Sequence, residues 1–110
     1  TIKMGRVGGP PPARAIQALC AEHGIPCWVG GMLEGGVGGQ ICAELATLPN
    51  FTYPGDIFPS SYFYTNDLGK PEIVLSGRGE VATSTVPGIA QEPDPDLLAR
   101  WTVDHAGYRV

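Results

Sequence analysis

Three groups of residues in this chain could do chemistry. Lys3 lies in the short stretch "TIKM". A lysine held among other charges or in a desolvated pocket can serve as a general base. Cys20, His23 and Cys27 cluster in "CAEHGIPC", which supplies sulfur and nitrogen ligands. Zinc would ask for a fourth ligand or an open catalytic position. No second cysteine pair supplies one, and cysteine is among the most buried residue types, so core packing is expected there. The third group is "GGMLEGGVGG", Gly30 to Gly39. A phosphate loop needs a lysine followed by serine or threonine, and this stretch has neither. It also fails the dinucleotide pattern G-x-G-x-x-G, because Ile41 stands at the third glycine. No G-x-S-x-G elbow occurs, so a hydrolase serine has no support.

These residues need elements to hold them. Thr1 to Met4 reads as the end of a strand and Gly5 to Pro12 as a Gly/Pro loop. Ala13 to His23 reads as a helix with Ile16, Leu19, Cys20 and His23 on one face, Pro12 in its first turn and Gly24 past its end. "IPCWV", Ile25 to Val29, is a continuous apolar run suited to a strand buried on both faces. Gln40 to Leu48 reads as a second helix with Ile41, Leu45 and Leu48 on one face. Phe51 to Tyr53 reads as a third strand, closed by Pro54 and Gly55. Ile2, Cys27 and Thr52 recur at a fixed interval, the rhythm of β/α units with parallel strands. Beyond Asp56 the pattern changes. Asp56 to Lys70 is an aromatic-rich loop, Glu72 to Leu75 and Glu80 to Ala82 suggest a hairpin around "SGRG", and Asp94 caps a last helix, Pro95 to Trp101.

Ligands in β/α folds collect at the carboxyl ends of strands. Lys3, Gly30 to Glu34 and Pro54 to Asp56 all fall there. Paired glycines would let backbone approach a ligand, with Met32 and Leu33 walling an apolar pocket. On position alone, Lys3 as a base and Lys3 as an exposed terminal lysine both stay open, and so does a plain loop for the glycines.

The totals set bounds. The chain has 110 residues, room for one small domain, and its 16 glycines and 11 prolines punctuate apolar segments rather than form a polar tract. A net charge of −4 without a basic block leaves nucleic acid no electrostatic footprint. No apolar run approaches the ~18 residues of a membrane span. An odd count of three cysteines and no secretory signal make a reducing cytoplasm the expected compartment. Thr1 opens the chain within a strand, so a fragment is expected.

"IKMGRVGG" (Ile2–Gly9), "HGIPCWVGGMLEGGVG" (His23–Gly38), "LATLPNFTYPGDI" (Leu45–Ile57) and "PGIAQEPDPDLLARWTV" (Pro87–Val103) closely resemble the o-succinylbenzoate synthase / N-acylamino acid racemase branch of the enolase superfamily. The resemblance implies an α/β fold: the last three strands and two helices of a modified (β/α)7β barrel in residues 1–57. An aromatic loop and a tail with a hairpin and a short helix, residues 58–110, would return toward a capping domain outside the chain. It implies a Mg²⁺-dependent enzyme that removes the proton α to a carboxylate. The competing activities are dehydration to o-succinylbenzoate for menaquinone synthesis, N-acylamino acid racemisation, and dipeptide epimerisation or another muconate-cycloisomerase-like reaction. It carries Lys3 over as one of two facing catalytic lysines, and Gly31, Met32, Leu33 and Phe63 as substrate contacts. The substrate would be a small carboxylate, an N-acylamino acid or an o-succinylbenzoate precursor, and the parent enzyme a homo-oligomer. The acidic Mg²⁺ ligands and the K-x-K lysine would lie before Thr1, so the chain alone is expected to be inactive. Gly35, Gly39, Cys42, Glu44, Phe58 and Pro59 depart from the family's usual residues. A non-catalytic fragment and a small β/α binding module are the alternatives.

Overall fold

The computed structural model describes residues 1–107, so the last three residues of the expected tail lie outside the described residues. Three extended segments run parallel, the second between the other two: Ile2 pairs with Val29, Cys27 with Phe51 and Gly30 with Asp56. The Ile2 amide donates to Trp28 O at 2.9 Å, and the Gly30 amide to Ile2 O at 3.0 Å. The first segment is shorter than the expected strand, because Met4 already begins a helix. The third is longer than Phe51 to Tyr53. Between its two pairings, Thr52 to Gly55 lie opposite only Trp28 and Val29. Pro54 has no N–H to give a ladder, so the chain bulges out there. It rejoins at Asp56, whose amide donates to Val29 O at 2.8 Å. Side chains alternate along the middle segment. Cys27 and Val29 are buried with Ile2, Ala13, Cys42 and Leu45, whereas Trp28, on the other face, is half-buried.

The expected loop from Gly5 to Pro12 is instead helical on both sides of a two-glycine break. Helix α1 spans Met4–Val7 and closes at Gly8 in the left-handed conformation, φ 95°. Helix α2 spans Pro10–Glu22, three residues earlier than expected at its start and one at its end. Its first turn is Pro10-Pro11-Pro12. Amides of a first turn have no intrahelical acceptor, so prolines there forfeit nothing and their fixed φ favours the helix. Of the four residues expected to share a face, Cys20 is half-buried, and Ile16, Leu19 and His23 are exposed. Ala13 carries the packing of α2 against the sheet instead.

Helix α3 spans Gly36–Leu45 rather than Gln40–Leu48, so the glycine stretch divides in two. Gly30 to Gly35 lead out of the middle segment, and Gly36 to Gly39 form the first helical turn. Cys42, Ala43 and Leu45 are buried, while Ile41 and Leu48 are half-buried. Leu48 sits in a turn beyond the helix.

The tail is more ordered than an aromatic loop and a hairpin. A 3-10 turn spans Ser60–Tyr62. Strand β1, Gly69–Lys70, lies within the segment expected to be loop and pairs antiparallel with β2, Glu92–Pro93. The hairpin narrows to one bridge, Leu75 with Val81, around a turn closed by the Gly79 amide on Ser76 O at 2.9 Å. Helix α4 spans Pro95–Trp101, and the Asp94 side chain accepts from the Asp96 and Leu97 amides at 3.0 Å, the expected cap. None of the helices is long and apolar enough to cross a membrane, among the described residues.

Candidate active site

The carboxyl ends of the three parallel segments and the aromatic loop enclose a cleft of about 290 Å³, lined by Lys3, Arg6, Gly31, Met32, Leu33, Asp56, Phe58 and Phe63. Lys3, Gly31, Met32, Leu33 and Phe63, the five residues singled out in the sequence, therefore share one wall-to-wall space. Lys3 is half-buried, and its Nζ donates to Gly31 O at 2.5 Å. It reaches there by lying across Gly30, where a Cβ would come within 3.0 Å of Lys3 Cγ and 3.1 Å of Nζ. Gly31 uses both of its peptide groups, because its amide also donates to Asp56 O at 2.7 Å. A Cβ on Gly31 would overlap that same carbonyl oxygen. The paired glycines thus let the second segment press against the first and the third at the cleft mouth.

Met32 and Leu33 follow, 43% and 63% exposed, the accessibility an apolar contact surface requires. The Met32 amide donates to Glu34 Oε2 at 2.5 Å, so the Glu34 carboxylate is turned back on its own loop. Opposite, Phe63 packs edge-on to Phe58 and Tyr64, with ring centroids 6.3 and 6.4 Å apart. The Tyr64 hydroxyl crosses the gap and donates to Leu33 O at 2.7 Å.

Beneath these walls sits a buried carboxylate. Asp67 accepts from the Gly36 amide at 2.8 Å, the Gly69 amide at 3.0 Å and the Ser60 hydroxyl. Burial works to raise its pKa, but the Gly69 amide, the Ser60 hydroxyl and the Gly36 amide, with the Lys70 charge beyond, hold it below the ordinary aspartate value. Its stabilising contribution is therefore complete above the unfolded aspartate range and is lost as the pH falls through the lowered folded value. The contact between α3 and β1 is glycine against glycine. A Cβ on Gly69 would meet Gln91 Oε1 at 2.6 Å, Val37 N at 2.9 Å and Gly36 Cα at 3.0 Å.

The cysteines stand apart from this chemistry. Burial pushes the Cys42 thiol up to about 11, the nearby Glu34 carboxylate adds to the rise, and Lys3 opposes it. Burial also raises Cys27, with a further rise from Cys20. A thiol that stays protonated is a poor nucleophile. With an alkylating reagent at mildly alkaline pH, mass spectrometry is expected to find native-state labelling at half-buried Cys20. Cys27 and Cys42 are expected to react only in denaturant. Equal rates at Cys20 and Cys42 would contradict this packing. His23 is exposed, and among the described residues no three His, Cys, Asp or Glu side chains come together as a metal site.

Residues 1–97 match the family model described as enolase C-terminal domain-like. The chain belongs to this family. It is similar to an N-succinylamino acid racemase from Amycolatopsis sp, with 50% identity over 97 residues covering 88% of this chain and 26% of that protein. It is also similar to an o-succinylbenzoate synthase from Geobacillus stearothermophilus, with 45% identity over 101 residues, 92% of this chain and 27% of that protein. A crystal structure of an enolase-superfamily member from Listeria innocua Clip11262 superposes with a TM-score of 0.83 at 37% identity, covering 91% of this chain and 27% of the other. The chain thus spans about a quarter of the length of the relatives it matches.

In this enolase-family chain the sequence reading missed Arg6 and Phe58 as cleft residues, and Asp67 altogether. Arg6 follows Lys3 by one turn of α1, so an expected loop concealed it. Phe58 was visible as one aromatic of the loop and as a departure from the family pattern, not as a cleft residue. Asp67 accepts from amides 31 and 2 residues away, and only the first of these ties distant segments together.

Proposed function

We propose that this chain is the C-terminal barrel portion, residues 1–57, and tail, residues 58–110, of an enzyme that abstracts the proton α to a carboxylate. The proposed reaction is that of an o-succinylbenzoate synthase or an N-acylamino acid racemase. The observation that carries the reading is the single cleft joining Lys3 to the apolar wall of Gly31, Met32, Leu33 and Phe63. The similarity to an N-succinylamino acid racemase and an o-succinylbenzoate synthase supports the substrate class, a small carboxylate.

Lys3 is the proposed base. In its neutral form it keeps two N–H groups and one lone pair. Donating one N–H to Gly31 O holds Nζ in the cleft and leaves its lone pair free for a substrate held against Met32, Leu33 and Phe63. Orientation of this kind turns a collision into a positioned transfer. Racemisation and dehydration share this step and part only after it. Among the described residues no three candidate ligands come together, so the magnesium ion implied by the family has no ligand set there. The chain by itself is therefore proposed to be inactive.

The test uses the natural full-length polypeptide with Mg²⁺ in D₂O. Stereospecific exchange of the α-proton of N-succinylamino acids is expected by NMR, with no exchange by residues 1–110 alone. A full-length polypeptide that binds such acids without exchanging the proton would sink the assignment.

A further inference from the structure

We propose that Asp67 is a positioning residue that fixes the two walls of the cleft against each other and so sets the fit of the substrate's apolar portion. This rests on the reading of the cleft as the substrate site. Asp67 does not line the cleft, and it is only 5% exposed. Its partners, however, belong to both walls. Gly36, bound at 2.8 Å, begins α3 three residues beyond Leu33. Ser60 begins the 3-10 turn that leads into Phe63. Gly69, bound at 3.0 Å, anchors the same carboxylate to β1. The Tyr64 hydroxyl makes a second tie between the walls, on Leu33 O at 2.7 Å. Phe63 is thus held between two ties, one deep and one at the rim. A buried carboxylate taking three donors is a rigid junction, since any movement of one partner leaves a buried group unpaired.

The test is made in the natural full-length polypeptide with Asp67→Ala, Asp67→Asn and Ser60→Ala. Two quantities are read: kcat and KM for α-proton exchange of N-succinylamino acids of small and large side chain, and hydrogen exchange of backbone amides 31–36 and 60–64. Asp67→Ala is expected to raise KM by about tenfold or more, most for the larger side chain, because misplaced walls lose contact first. The pH profile of kcat should not move, since Lys3 is untouched. Both amide segments should exchange faster together. Asp67→Asn should restore KM to within about twofold, because its amide oxygen still accepts from Gly36 and Gly69 and the Ser60 hydroxyl can turn to accept. If Asp67→Ala does not fold, Ser60→Ala decides: it cuts one tie only, and it is expected to speed exchange at 60–64 and raise KM. A folded Asp67→Ala with unchanged KM, or Ser60→Ala with neither change, would overturn the proposal. If the wild type shows no Lys3-dependent exchange of these substrates, the functional reading fails. The amide measurement still decides whether Asp67 couples the walls.

Discussion

Replacing Lys3 by alanine in the natural full-length polypeptide is expected to lower α-proton exchange by about 10²–10⁴-fold, the usual contribution of a positioned general base. Binding should change far less, because the apolar wall of Met32, Leu33 and Phe63 remains. The loss should therefore appear in kcat rather than KM. The fold should survive. The bond lost is the one from Nζ to Gly31 O, at the mouth of an open cleft where water can replace it. Lys3→Arg sharpens the test. It keeps a cation and hydrogen-bond donors, but a guanidinium does not give up its proton near neutral pH. If Lys3 acts as a base, arginine should be nearly as impaired as alanine. If Lys3 only attracts the carboxylate, arginine should retain most of the activity. Exchange in D₂O, followed for each enantiomer separately, distinguishes these outcomes. Unaltered exchange in Lys3→Ala would remove Lys3 from the chemistry.

What the sequence revealed and what it hid divide along one physical line. Features fixed by neighbours in the chain were legible. Asp94 before Pro95 announced α4, because a cap and its amides lie within one turn. The β/α rhythm showed through Ile2 and "IPCWV", since each segment is bounded by its own glycines and prolines. Lys3 and Gly31 to Leu33 followed from strand ends and from the family resemblance. Features fixed by distant partners were not legible. Gly36 to Gly39 argue against a helix by propensity, yet they start one. Tertiary packing decides there: a Cβ on Gly39 would meet Ile73 Cδ1 at 2.8 Å, and Gly36 sits against Gly69. The pairing of Gly69 with Pro93 joins residues far apart in a tail that has no alternating pattern to announce it. The three prolines of α2 read as loop only when their place in a first turn is overlooked.

Gly31→Ala is expected to damage both stability and catalysis, although it adds a single methyl group. The Cβ would overlap the Asp56 carbonyl oxygen, which is backbone and cannot swing aside as a side chain would. Relief requires the second and third segments to separate, which breaks the bond from the Gly31 amide to Asp56 O, 2.7 Å long. Overpacking of this kind costs about 1–3 kcal/mol. The same shift moves Gly31 O, the acceptor that aims Lys3 Nζ. A displacement near 1 Å at a reacting group can cost about 10²-fold in rate. Gly30→Ala is the informative contrast. Its Cβ would meet Thr1 Oγ1 at 2.5 Å and Lys3 Cγ at 3.0 Å, atoms of side chains rather than of backbone. It should therefore perturb the aim of Lys3 while leaving the segment pairing intact. Urea unfolding of the two variants, compared with their exchange rates in D₂O, separates the effects. Gly31→Ala should lose both stability and rate, and Gly30→Ala mainly rate. A Gly31→Ala variant with wild-type stability would mean that the third segment is not held against the second as the Gly30–Asp56 pairing requires.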